Sequence, residues 1–134
     1  DVVTDIDGNE YQAIQIGDQL WMKENLKVTH YNDGTEIPTG YSNDDWINLS
    51  TDAYAAYPHD NPHGNVSTCD GDCVEVYGNL YNWYAVENQQ LCMEGWHVPT
   101  DDEWTVLTDY LGGESVAGGK MKEAGLAHWT IPMG

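Results

Sequence analysis

The constraint that most narrows the fold lies at the start of the chain. In VVTDIDGNEYQAIQIGDQLWM, apolar and polar residues alternate on both sides of Asp7-Gly8-Asn9. A period of two with a tight turn at its middle is the pattern of a β-hairpin. Ile14, Ile16, Leu20 and Met22 continue around a second turn at Gly17-Asp18, so a small antiparallel meander is expected. Asp5, Asp7 and Asn9 have the residue types of a calcium loop. The six-ligand spacing and distal Glu of an EF-hand are missing, however, and turn aspartates serve their own backbone hydrogen bonds.

The second half of the chain changes period. In YGNLYNWYAVENQQL, residues Leu80, Tyr81, Tyr84 and Ala85 recur at helical spacing, which predicts a helix over about 79–89. A better-marked helix follows. Thr100 is placed as its N-cap and Glu103, three residues on, completes a capping box, with Asp101 and Asp102 favourable in the positive first turn. Trp104, Leu107, Thr108 and Leu111 give it an apolar side, and Gly112-Gly113 ends it. A shorter helix over about 114–123 is expected next. Strands first and helices later, with no repeat of 20–50 residues, point to an α+β fold and exclude a solenoid. At 134 residues one domain over 1–134 is expected.

Charge decides what such a domain can bind. Against 23 acids stand four lysines and no arginine, for a formal net charge of −19. Such a surface repels nucleic acid and anionic lipid, so neither is an expected partner. No apolar run approaches the ~20 residues of a membrane helix, so no insertion is expected. The absence of a charged-then-apolar leader is read as a signal peptide already removed. With three cysteines, this places the chain outside the cell or at its surface.

His59, His63, Cys69 and Cys73 have the residue types of a zinc site, but their spacing around Pro62 is unusual. A disulfide between Cys69 and Cys73 is the preferred reading, with Asp70-Gly71-Asp72 as a hairpin loop that faces the two cysteines across neighbouring strands. Cys92 is then a free buried thiol, the alternative being a bridge from Cys92 to one of the pair. Asp70, Asp72 and Glu75 are the candidate ligands for Ca2+, weighed against ordinary solvent-exposed turn acids. No nucleophile elbow, phosphate loop or HExxH occurs. His97, without a visible nucleophile beside it, reads as structural, and no catalytic residue is assigned.

Aromatic side chains are the remaining signal. Trp21, Trp83, Trp96 and Trp104 neighbour core-patterned residues and are read as packing anchors. Residues 30–66 are rich in Asn, Asp, Gly, Pro, Tyr and Thr without sustained period, a long ordered loop region. Within it Tyr41, Trp46, Tyr54, Tyr57 and His59 are the candidate ligand-binding residues.

The runs DIDGNEYQAIQIGDQLWMKENLKVTHYNDGTEIP, YGNLYNWYAV, LCMEGWHVPTDDEWTVLTDYLGG and AGGKMKEAG cover most of positions 5–125. They resemble the Fibrobacter succinogenes major paralogous domain, a family abundant in exported Bacteroidetes and Fibrobacter proteins. VPTDDEW is also similar to the LPTEAEWE signature of the formylglycine-generating group. The resemblance implies a C-type-lectin-like α+β domain, with two or three short helices packed on a small antiparallel sheet among long irregular loops. It carries no catalysis, because the copper-binding cysteine pair of the formylglycine-generating group has no counterpart here. The CDGDC insertion departs from the family pattern. So does the end of the chain, since the family continues past Gly134 with strands that complete its sheet. The expected function is a secreted or surface binding and adhesion module for a glycan or a surface protein, with Ca2+ as the candidate ion. The alternative is a self-associating filament subunit completed by strand sharing, and a weaker one is a carbohydrate-active enzyme fragment.

Overall fold

The computed structural model of the chain describes residues 1–56 and 72–122. Among these residues there are five short helices and two antiparallel sheets, an α+β architecture. The elements are β1 (Val2–Thr4), β2 (Glu10–Ile16), β3 (Gln19–Met22), α1 (Asn43–Ile47), β4 (Tyr54–Ala56), α2 (Cys73–Tyr77), β5 (Asn79–Tyr81), α3 (Trp83–Glu87), α4 (Asp101–Tyr110) and α5 (Glu114–Met121). One sheet has the order β1-β2-β3, the meander expected from the alternation, and β4 pairs with β5 in the other. The described residues gather into two compact units, one within Asp1–Ala13 and Met22–Val98, the other within Ile14–Trp21 and 99–122.

In the first unit β1 and β2 pair in the register Val2↔Gln12, Val3↔Tyr11 and Thr4↔Glu10. The loop between them is closed by Asp5. Its carboxylate accepts the backbone N–H groups of Asp7 (3.0 Å) and Asn9 (2.9 Å), the Asn9 amide (3.0 Å) and the Tyr11 hydroxyl (2.7 Å). Four protein donors therefore surround a carboxylate that the sequence pattern offers to calcium. Buried charge is tolerable only with such partners.

The core of this unit is built on Val28, Tyr31, Ile37 and Leu91, with Leu26, Tyr54, Tyr81 and Val86 packed around it. The β4–β5 register Tyr54↔Tyr81, Ala55↔Leu80 and Ala56↔Asn79 puts the two tyrosine rings side by side, 6.4 Å apart. This corrects the single helix expected over 79–89. Asn79–Tyr81 is strand, and only after Asn82 does the chain turn helical. Asn82 is an extended N-cap (ψ 170) whose side-chain oxygen accepts from Ala85 and also from Ala53. It thus ties the start of α3 to the segment entering β4. The helical spacing of Leu80 and Tyr84 straddles two elements, and Leu80 is left 55% exposed. Trp83, expected to be a packing anchor, is 67% exposed on α3.

In the second unit α4 has the ends its sequence foretells. Thr100 is the extended N-cap and its hydroxyl accepts from the Glu103 backbone at 3.3 Å. At the other end Gly112 N–H bonds to the Asp109 carbonyl and Gly113 N–H to the Thr108 carbonyl, the paired closure of a Schellman motif with Gly112 in the left-handed region at φ 109. Leu107 and Ala117, from α4 and α5, are buried. Trp21 packs on Trp104 with centroids 4.9 Å apart, and its indole N–H donates to Gln19. Gln19 in turn donates to the carbonyl of Glu103.

Candidate functional site

Two loops of the first unit face each other across an open groove of ≈ 410 Å³. One loop contributes Asn32 and Asp33, the other Gln89, Gln90 and the stretch from Cys92 to Trp96. The loops are set against the core by residues that alternate inward. Tyr31 is buried, and its hydroxyl donates to Asp52 at 2.5 Å. Leu91 and Met93 are buried as well, with Cys92 half-buried between them, while Gln89, Gln90, Glu94 and Gly95 are exposed. Asn32 N–H donates to the Gln90 carbonyl at 2.8 Å and joins the two loops directly. A further turn bond, Trp96 N–H to the Met93 carbonyl at 2.9 Å, sets the course of the chain at the indole.

Gln89 is the one residue other than glycine with positive φ (63) among the described residues. It follows Asn88, the C-cap of α3, at the position where helices most often place glycine. Holding a residue with a Cβ there costs on the order of 1 kcal/mol. Strain of this kind concentrates where a side chain has to be presented, and Gln89 lines the groove.

The groove therefore offers three amides (Asn32, Gln89, Gln90), two carboxylates (Asp33, Glu94) and a half-buried indole (Trp96). Asp33 accepts the Thr35 N–H at 2.9 Å. The hydrogen bonds from the Thr35 hydroxyl and backbone hold its carboxyl below the ordinary 3.8, so it is anionic at any physiological pH. Cys92 is a free cysteine whose thiol is pushed above the ordinary 9.0 by burial. It is therefore neutral and a poor nucleophile or metal ligand at neutral pH. Amides both donate and accept, carboxylates accept, and an indole gives an apolar face with one N–H. Together these groups can bind a polyhydroxylated ring by its edge and its face.

Of the candidate ligand and metal residues singled out from the sequence, those that the structure describes do not line this groove. Tyr41 is exposed and Trp46 half-buried, on α1 and its approach, where Ser42 caps the helix. Tyr54 is half-buried and packs on Tyr81 at the edge of the core. Tyr57, His59, Cys69 and Asp70 lie outside the described residues. Asp72 and Cys73 do not lead from a hairpin loop into a strand. Asp72 is the N-cap of α2, accepting from Glu75 N–H at 3.1 Å, and Cys73 is the first residue of that helix. Cys73 is disulfide-bonded. The Glu75 carboxylate is 3.1 Å from the Lys27 ammonium and forms an ion pair with it. Among the described residues no three His, Cys, Asp or Glu side chains converge as a metal site.

Of the groove residues, Trp96 carries an aromatic signal in the sequence but reads there as a core anchor. Asn32, Asp33, Gln89, Gln90 and Glu94 carry no such signal. The run Asn88-Gln89-Gln90, three amides at a helix end, is the one feature that marks them in advance.

Fold and groove together define a small α+β domain with a polar, loop-built groove. Residues 14–133 match the family model of the Fibrobacter succinogenes major domain, and the chain belongs to that family. Neither a curated protein nor a solved structure matches it.

Proposed function

We propose that this domain is a non-catalytic binding module that works outside the cell and holds a glycan in the groove between the 32–33 turn and the 89–96 loop. The observation that carries the reading is the lining itself, three amides, two carboxylates and an indole, with a strained Gln89 among them. Polar groups that fix hydroxyls around one aromatic face suit sugars better than apolar ligands, which want a mostly hydrophobic cavity. Extracellular placement is supported by a disulfide-bonded Cys73, since such bonds persist in oxidising compartments, and by the acidic surface.

The test is a glycan array followed by calorimetry on the best ligand, with and without Ca2+. Trp96→Ala and Gln90→Ala should each weaken binding at least tenfold, about 1.4 kcal/mol, as expected for central contacts. An array without hits, or a Trp96→Ala variant that binds as well as the parent, refutes the reading. A gain in affinity with Ca2+ identifies the ion as part of the bound complex.

A further inference from the structure

Resting on the glycan reading, we infer that the groove selects cationic glycans, oligosaccharides of hexosamine with free ammonium groups, over their neutral N-acetylated and their acidic counterparts. The argument is one of uncompensated charge beside a cation-attracting ring. Asp33 and Glu94 both line the groove and both are exposed. None of the nine residues lining it is Lys, Arg or His. One of the four lysines of the chain, Lys27, is buried and committed to Glu75. Asp33 keeps its charge down to acid pH because Thr35 holds it ionised.

An anionic sugar entering this groove meets two carboxylates and no counter-charge. A neutral sugar gains ordinary hydrogen bonds. An ammonium-bearing sugar gains charge-assisted bonds, roughly twice as strong, together with the attraction of a cation to the Trp96 indole. The net charge of −19 adds a field that draws cations toward the surface and raises the association rate at low salt. The same hydroxyls are available in all three ligand classes, so the preference is set by the substituent on the sugar nitrogen.

The experiment compares one oligosaccharide in two forms, deacetylated and fully N-acetylated, at pH 6, with an acidic oligosaccharide of equal length and an oligolysine as controls. The deacetylated form should bind at least tenfold tighter than the acetylated form. That ratio should fall below threefold in Asp33→Asn with Glu94→Gln, and it should shrink as NaCl rises. Asn at 33 retains an oxygen for Thr35 N–H and both positions are exposed, and a melting curve confirms folding of the double variant. Equal affinity for the two forms overturns the inference and leaves the glycan reading standing, while no binding to either overturns both. Oligolysine binding as tightly as the deacetylated sugar overturns the inference by showing plain cation attraction.

Discussion

At the scale of single residues, one phenol does two jobs. The Tyr11 hydroxyl donates to the buried Asp5 carboxylate at 2.7 Å and accepts the Lys27 N–H at 2.8 Å, with the ring fully buried. Tyr11→Phe keeps the shape but takes one of two donors from an Asp5 carboxylate oxygen, which keeps the Asn9 amide, and strands the Lys27 N–H. It should lower stability by about 1–3 kcal/mol, read as a shift in urea midpoint at constant slope. Three phenols should also set the alkaline limit. Burial raises the hydroxyls of Tyr11, Tyr31 and Tyr81 above the ordinary 10.0, assisted at Tyr11 by Asp5 and at Tyr31 by Asp52. Between 10.0 and those raised values the unfolded chain loses protons that the folded chain keeps, so stability should fall as pH climbs past 10. At Asp7 the sign is opposite. Burial would raise its carboxyl, but hydrogen bonds from Thr29 and His30 outweigh burial and hold it below 3.8. Its contribution is present above 3.8 and is lost as pH falls further. Denaturant titrations at stepped pH should show both edges, and Tyr31→Phe should soften the alkaline one.

At the scale of elements, ends matter more than interiors. Thr100→Ala removes the side-chain acceptor of α4 and should cost about 1 kcal/mol, measurable by thermal melting. Gly78, between α2 and β5, sits at φ 68, and a Cβ there would lie 2.7 Å from both the Leu26 carbonyl oxygen and the Asn25 Cβ. Backbone cannot yield, so Gly78→Ala should destabilise by roughly 2 kcal/mol or more. Gln89→Gly should do the reverse, relieving the left-handed strain for a gain of up to about 1 kcal/mol while weakening ligand binding. A melting temperature that rises as affinity falls is the expected pair of readings. The ends of α4 were legible because capping is local chemistry, with Thr100, Glu103 and Gly112 within reach of their own helix. The break at Asn82 was not, because its side chain is shared between Ala85 and Ala53, 29 residues upstream.

At the scale of the whole molecule, the charge of −19 is the governing quantity. Repulsion among so many carboxylates is strongest in the compact state. Shortening the screening length from roughly 30 Å to roughly 8 Å, by raising salt from about 0.01 M to about 0.15 M, should raise the melting temperature. A temperature that stays level across that range would show the acids to be locally compensated. Sugar affinity should respond oppositely if the ligand is cationic, so one salt series separates folding electrostatics from binding electrostatics.

By itself the sequence determined what depends on neighbours along the chain. The alternation around Asp7-Gly8-Asn9 made the hairpin, Thr100 and Gly112 bounded α4, and the imbalance of acids over lysines set the net charge of −19. Tertiary structure decided what depends on residues far apart. It turned 79–81 into a strand by giving it β4 as a partner, used Tyr54 for packing, and left Trp83 exposed. It also brought Asn32 and Asp33 against the 89–96 loop to form a groove. The physical reason is that a cap or a turn closes hydrogen bonds within a few residues, whereas a groove exists only after two separate loops have been brought together, here by the Asn32–Gln90 bond and the packing of Tyr31 and Leu91 in one core.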